Sequence, residues 1–154
     1  LLVLAGVLWS GACRGVGRPD VLPFEPILEE DSHLVTLLNE AMDVGERDTD
    51  GAVRSLREQV VPRARRNAES AGATAVRHPR AVELRTRLCQ RTAERAETSG
   101  ALADALAGRD ADALSRALRK MRQLALDMER LEQDVQRARQ EPATGGCASA
   151  GVGR

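Results

Sequence analysis

DADALSRALRKMRQLALDMERLEQDVQRARQ, residues 110–140, decides the fold. Leu114, Ala117, Met121, Leu124, Met128, Leu131, Val135 and Ala138 recur at alternating spacings of three and four. With 3.6 residues per helical turn, such a rhythm puts all eight on one side of a single helix. The helix is expected to open at Asp110 and to close before Pro142, which has no amide to continue it. An unbroken seam of this kind buries nothing by itself, so it requires partner helices.

Those partners precede it. A helix is expected from Pro79 to Gly108, with proline at the favoured first position and Leu84, Leu88, Cys89, Ala93, Ala96, Ala103 and Leu106 inward. Ser99-Gly100 is a weak point where it could bend. A second runs from about Asp50 to Ala71, with Val53, Leu56, Val60, Ala64, Ala68 and Ala71 as its stripe. Pro62 should kink or divide it. The first runs from Ser32 to Val44, with Leu34, Leu38, Ala41 and Met42 on one face, Ile27 and Leu28 as a possible extension, and Gly45 suited to a left-handed cap. Short connections at 45–49 and 107–110 fold neighbours back on each other. The expectation is an all-α, antiparallel up-down four-helix bundle over residues 28–140, with disordered termini including a Gly/Ala-rich tail at 141–154.

Composition agrees. Aromatic residues number two, Trp9 and Phe24, so the core must be built from Leu, Ala, Val and Met, and stacking platforms for bases, sugars or flavins are lacking. The formal net charge is zero. Lys120 is the single lysine against 22 arginines, a bias of the kind a GC-rich genome produces. Charge is unevenly spread: residues 20–50 carry ten acids and one arginine, and residues 51–95 carry eleven arginines and four acids. An acidic first helix docking on basic neighbours accounts for this without a polyanionic partner, so no nucleic acid is expected.

Residues 1–8, LLVLAGVL, are uncharged and apolar, and Ser10-Gly11-Ala12-Cys13 follows. The run is too short to span a bilayer, which takes about 20 residues, and matches the apolar region of a signal peptide at 1–12. Small residues directly before a cysteine resemble the permissive lipobox of bacterial lipoproteins, although Ser10 stands where leucine is usual. The resemblance implies that Cys13 receives the lipid and becomes the mature N-terminus. Arg14 then replaces the aspartate that favours inner-membrane retention, which implies the outer membrane. Ser10-Gly11-Ala12 also suits the ordinary signal peptidase, which would release a soluble protein. Residues 13–27, rich in Gly and Pro, are expected to form a flexible linker.

The closing hairpin, ALAGRDADALSRALRKMRQLALDMERLE, resembles in helical rhythm the periplasmic b-type cytochrome bundles. That family holds haem between a Met on its first helix and a His on its last. Here Met42 falls near the end of the first helix and the last helix has no His, so the resemblance implies shape without haem.

No residue pattern argues for catalysis or a resident cofactor. Glu46-x-Asp48-x-Asp50-Gly51 echoes half a calcium loop, but Arg57 stands where the bidentate Glu belongs, and the acids serve equally as helix caps. His33 lies beside Glu29, Glu30 and Asp31, and His78 at a helix start; two histidines alone make no structural zinc site. Met121 and Met128 are read as core fillers. Cys89, within a helical pattern, and Cys147, in the Gly/Ala tail, could pair in an oxidising compartment or stand as one half-buried and one loose thiol. The reading that follows is a non-enzymatic lipoprotein of the bacterial cell envelope, facing the periplasm or the exterior. It is held to the membrane by a lipid on Cys13 and acts on an envelope protein partner or as a homo-oligomer. The alternative is a periplasmic ligand- or metal-binding four-helix bundle.

Overall fold

A computed structural model describes residues 19–142. The leader, Cys13 and Cys147 lie outside that range. The described chain is all helical. A single 3-10 turn, Leu22–Phe24, leads into α1 (Glu25–Gly45). Then come α2 (Thr49–Ser55), a π turn (Leu56–Val60) and α3 (Val61–Ala73), which form one continuous rod. Two long helices follow, α4 (Pro79–Ala107) and α5 (Ala111–Gln140).

Each boundary has a local cause. Asp48 caps α2 by accepting the Gly51 amide at 2.9 Å, and Asp110 caps α5 by accepting the Ala113 amide at 2.8 Å. His78 does the same for α4, its Nδ1 accepting the Arg80 amide at 3.2 Å one residue before Pro79. The division at Pro62 takes a specific form. Proline offers no amide to the preceding turn, and the chain widens just upstream into the π turn, where the Val61 amide reaches back to the Leu56 carbonyl. The rod continues instead of breaking.

The seam of α5 is buried as its rhythm requires: Ala117, Met121, Leu124, Met128, Leu131, Val135 and Ala138 all lie in the core, with Leu114 half-buried at its start. Cross-helix pairs run in opposite order at each interface. Asn67 meets Ile27 and Arg63 meets Glu30; Arg57 meets Asp104 and Arg85 meets Thr74; Arg87 meets Asp134 and Lys120 meets Glu94. Neighbouring helices are therefore antiparallel.

Three expectations shift. The helical body starts earlier than residue 28: α1 begins at Glu25, and Val21 and Phe24 are buried. Pro23 and Pro26 are compatible with this because each sits in the first turn of its helix, where the missing amide would have had no partner. Gly45 is not left-handed; the positive φ falls at Arg109 instead, at 52°. Within α4, Ala93 is exposed, and the inward positions run through Thr92, Arg95 and Ser99.

The apolar core has two parts. One holds Phe24, Ile27, Leu28, Leu84, Leu88, Leu131 and Val135; the other holds Leu34, Leu38, Leu56, Val60, Leu102 and Leu124. Between them along α1, α3 and α4 lie the buried polar residues Asp31, Asn67, Thr92, Arg95 and Ser99. On α5 the two parts meet directly, Leu124 in one and Met128 in the other.

Candidate functional site

The polar layer is mostly self-satisfied. Thr92 and Ser99 return their hydroxyls to the backbone of α4, donating to the Leu88 and Arg95 carbonyls at 2.9 and 2.8 Å. Asn67 donates to the Ile27 carbonyl at 3.1 Å and ties α3 to α1. The exception is Arg95, the largest fully buried side chain of the described residues.

Its guanidinium Nε lies 2.6 Å from Asp31 Oδ1, with the two side chains 2% and 7% exposed. This contact is close but poorly aligned, and it does not meet hydrogen-bond geometry at either atom. Nη1 is 3.9 Å from the Met121 sulfur, a weak acceptor. Among the described residues Nη2 has no partner. Buried guanidinium donors are ordinarily satisfied, because leaving one unpaired costs its desolvation in full. Burial pushes the Asp31 carboxyl above the usual aspartate range, against the opposing pull of Arg95. Burial prevails, since the misaligned contact recovers only part of the lost hydration.

Arg95 also forms the floor of a groove. Helix α4 packs closely on both α3 and α5, and α1 on the rod formed by α2 and α3, whereas α1 and α5 stand further apart. Two cavities open between them. One, about 220 Å³, is lined by Leu28, Asp31, Ala125 and Met128; the other, about 290 Å³, by Leu38, Met42, Leu118 and Met121. Val35, Arg95 and Ala125 line both. Charge divides the rim: Glu129 and Glu132 border the first cavity, Arg122 the second.

No family model, curated protein or solved structure matches this chain.

Cys13 lies outside the described range. His33 is exposed on α1 and His78 caps α4; no group of three or more potential metal ligands occurs among the described residues. Asp48 serves as a cap. Met121 and Met128 are buried core residues, and Met42 packs partly against one cluster. Cys89 is half-buried beside the other cluster. Much of the arginine charge is committed locally. Arg63 makes a two-pronged bond to Glu30 at 2.8 and 3.0 Å, Arg87 reaches Asp134 at 2.7 Å, and Arg91 reaches Glu94 at 2.9 Å.

Asp31 and Arg95 were missed by hydropathy, yet a signal existed. On α4 the positions Ala81, Leu84, Leu88, Thr92, Arg95, Ser99, Leu102 and Leu106 keep helical spacing without interruption. On α1, Ile27, Asp31, Leu34, Leu38 and Ala41 do likewise. A charged residue standing on each seam is the mark of a buried pair.

Proposed function

We propose that the protein is a non-enzymatic envelope lipoprotein: a helical body tethered through an acylated Cys13 and acting by contact with another envelope component. The observation that carries this reading is the placement of the small-residue motif Ser10-Gly11-Ala12-Cys13 after an apolar run and shortly before the body. Val21, the first apolar core residue of the described chain, follows Cys13 by eight positions. At no more than about 3.6 Å per residue, that tether holds the start of the body within about 30 Å of the lipid. The outer membrane is the proposed location, on the strength of Arg14. No helix among the described residues is long and apolar enough to cross a membrane.

The test is metabolic labelling with palmitate in a bacterial host that processes lipoproteins. Label on the wild type and none on Cys13→Ala supports the anchor; an unlabelled wild type overturns it. Crosslinking in native membranes then identifies the partner.

A second reading, a ligand-binding bundle, is favoured by a different observation: the unpartnered Nη2 of Arg95 beneath an open apolar groove.

A further inference from the structure

We propose that the α1–α5 groove binds an anionic amphiphile, a carboxylate on a medium-length acyl chain, with its head on the terminal nitrogens of Arg95. This deepens the ligand-binding reading and does not depend on the lipid anchor.

A guanidinium presents its donors along two edges. Asp31 approaches Arg95 at Nε. On the edge made by Nη1 and Nη2, Nη1 has the weak Met121 sulfur as its acceptor and Nη2, closed off from water, has no hydrogen-bond partner among the described residues. A carboxylate placed end-on against this edge would take two parallel N–H donors, the arrangement in which arginine recognises carboxylates best. The position is almost dry: the Arg95 side chain is 2% exposed, so a bond made there competes little with water.

The walls specify the rest of the ligand. Val35, Leu38 and Met42 of α1 face Leu118 and Met121 of α5, and the cavity they enclose, about 290 Å³, lies at the small end of the range typical of ligand pockets. Leu118 is 37% exposed, a large apolar side chain left beside the opening. Charge sets the direction. Arg122 borders this cavity, while Glu129 and Glu132 border the neighbouring one. An anionic head is therefore favoured at the Arg95–Arg122 end and opposed at the other. A cation would meet Arg95, and a neutral chain would leave Nη2 as it stands.

The probe is decanoate, titrated by calorimetry into the full-length chain carrying Cys13→Ala, so that neither attached lipid nor detergent competes. Decanol and decyltrimethylammonium serve as neutral and cationic matches. Decanoate should bind at least tenfold more tightly than either. Ala125→Trp, at an exposed position on the lip of both cavities, should weaken decanoate at least tenfold with the fold intact by circular dichroism. The paired substitution Arg95→Met with Asp31→Leu removes both buried charges together and should abolish the preference for decanoate over decanol. Should Arg95→Met with Asp31→Leu fail to fold, Ala125→Trp still decides whether the groove is the site. No heat from decanoate at millimolar concentration with folded protein overturns the proposal. So does equal binding of decanoate and decanol, or undiminished binding to Ala125→Trp. Failure of palmitate labelling would leave this result untouched, which keeps the two readings separable.

Discussion

Arg95 and Asp31 meet at 2.6 Å between two apolar clusters and join α4 to α1. Such a pair is a poor source of stability. Its desolvation cost approaches its attraction, while the loss of one partner strands a buried charge. Either Arg95→Met or Asp31→Leu alone should lower unfolding free energy by about 3–5 kcal/mol. Together they should leave the protein within about 1 kcal/mol of wild type, or above it. Urea unfolding of the three variants completes the cycle. Additive losses in the double variant would contradict the coupling.

Two aspartates should titrate in opposite directions. Burial holds Asp31 above the usual aspartate range, with Arg95 pulling the other way. At Asp134 the hydrogen bond from Arg87 comes first and lowers the pKa, burial opposes it, and Arg137 adds to the lowering. The signs for stability differ accordingly. The raised Asp31 binds its proton more tightly when folded, so its contribution is fullest below about pH 4 and is lost as pH rises through the folded value. Asp134 contributes above about pH 4, and that contribution is lost as pH falls through its depressed value. Carboxyl carbon NMR should place the Asp31 midpoint above that of an exposed aspartate and Asp134 below it. Arg87→Met should return Asp134 toward the ordinary value and cost no more than about 1 kcal/mol near neutrality, since the Arg87 side chain, 39% exposed, leaves the pair open to solvent screening.

The end of α1 and the start of α2 show how a single cap limits substitution. Asp48 accepts the Gly51 amide, and a Cβ built on Gly51 would stand 2.3 Å from Asp48 Oδ2. Replacing a helical glycine by alanine ordinarily gains about 1 kcal/mol. Here that gain is set against displacement of the cap, itself worth about 1 kcal/mol. Gly51→Ala should therefore be neutral or destabilising in wild type. In the Asp48→Ala background, where no cap remains to displace, the same change should stabilise. Thermal melts of the four proteins measure the sign reversal.

What was legible in the sequence was the part governed by repetition and local chemistry. The seam of α5 is written in alternating threes and fours, and Asp110, Pro79 and His78 act within a turn of where they stand. What was less legible depends on tertiary context. Pro26 has the composition of a linker, yet it sits in the first turn of α1 because Val21, Phe24 and Ile27 find apolar cover against α4 and α5. Ala93 has the hydropathy of a core residue, but the spacing of α4 points Arg95 inward instead, where Asp31 on another helix receives it. Hydropathy ranks residues singly, and a buried pair exists only once two helices are placed together. The groove is harder still, since it arises from a separation between α1 and α5 that neither helix encodes alone.

Arg109 carries the one positive φ of a non-glycine residue in the described chain, 52°, in the turn between α4 and α5. Its amide bonds to the Leu106 carbonyl at 3.1 Å, and the Asp110 amide to the Ala105 carbonyl at 3.0 Å, so the reversal is fixed by backbone bonds closing α4. Left-handed geometry brings Cβ against the following carbonyl, at about 1–2 kcal/mol for an ordinary residue. Glycine lacks the clash but loses more freedom on folding, about 0.5–1 kcal/mol. Asparagine tolerates the region through its short polar side chain. Arg109→Gly and Arg109→Asn should thus each raise stability by about 0.5–1 kcal/mol, and Arg109→Val should lower it, because a β-branched residue fits this region worst. Adjacent Gly108 has φ −79° and needs no such freedom. An exchange of the two residues, glycine at 109 and arginine at 108, should accordingly be more stable than wild type by urea denaturation, provided the Cβ added at 108 clears the Asp104 carbonyl 3.3 Å away. Equal midpoints for wild type and Arg109→Gly would show that the turn stores no strain at Arg109.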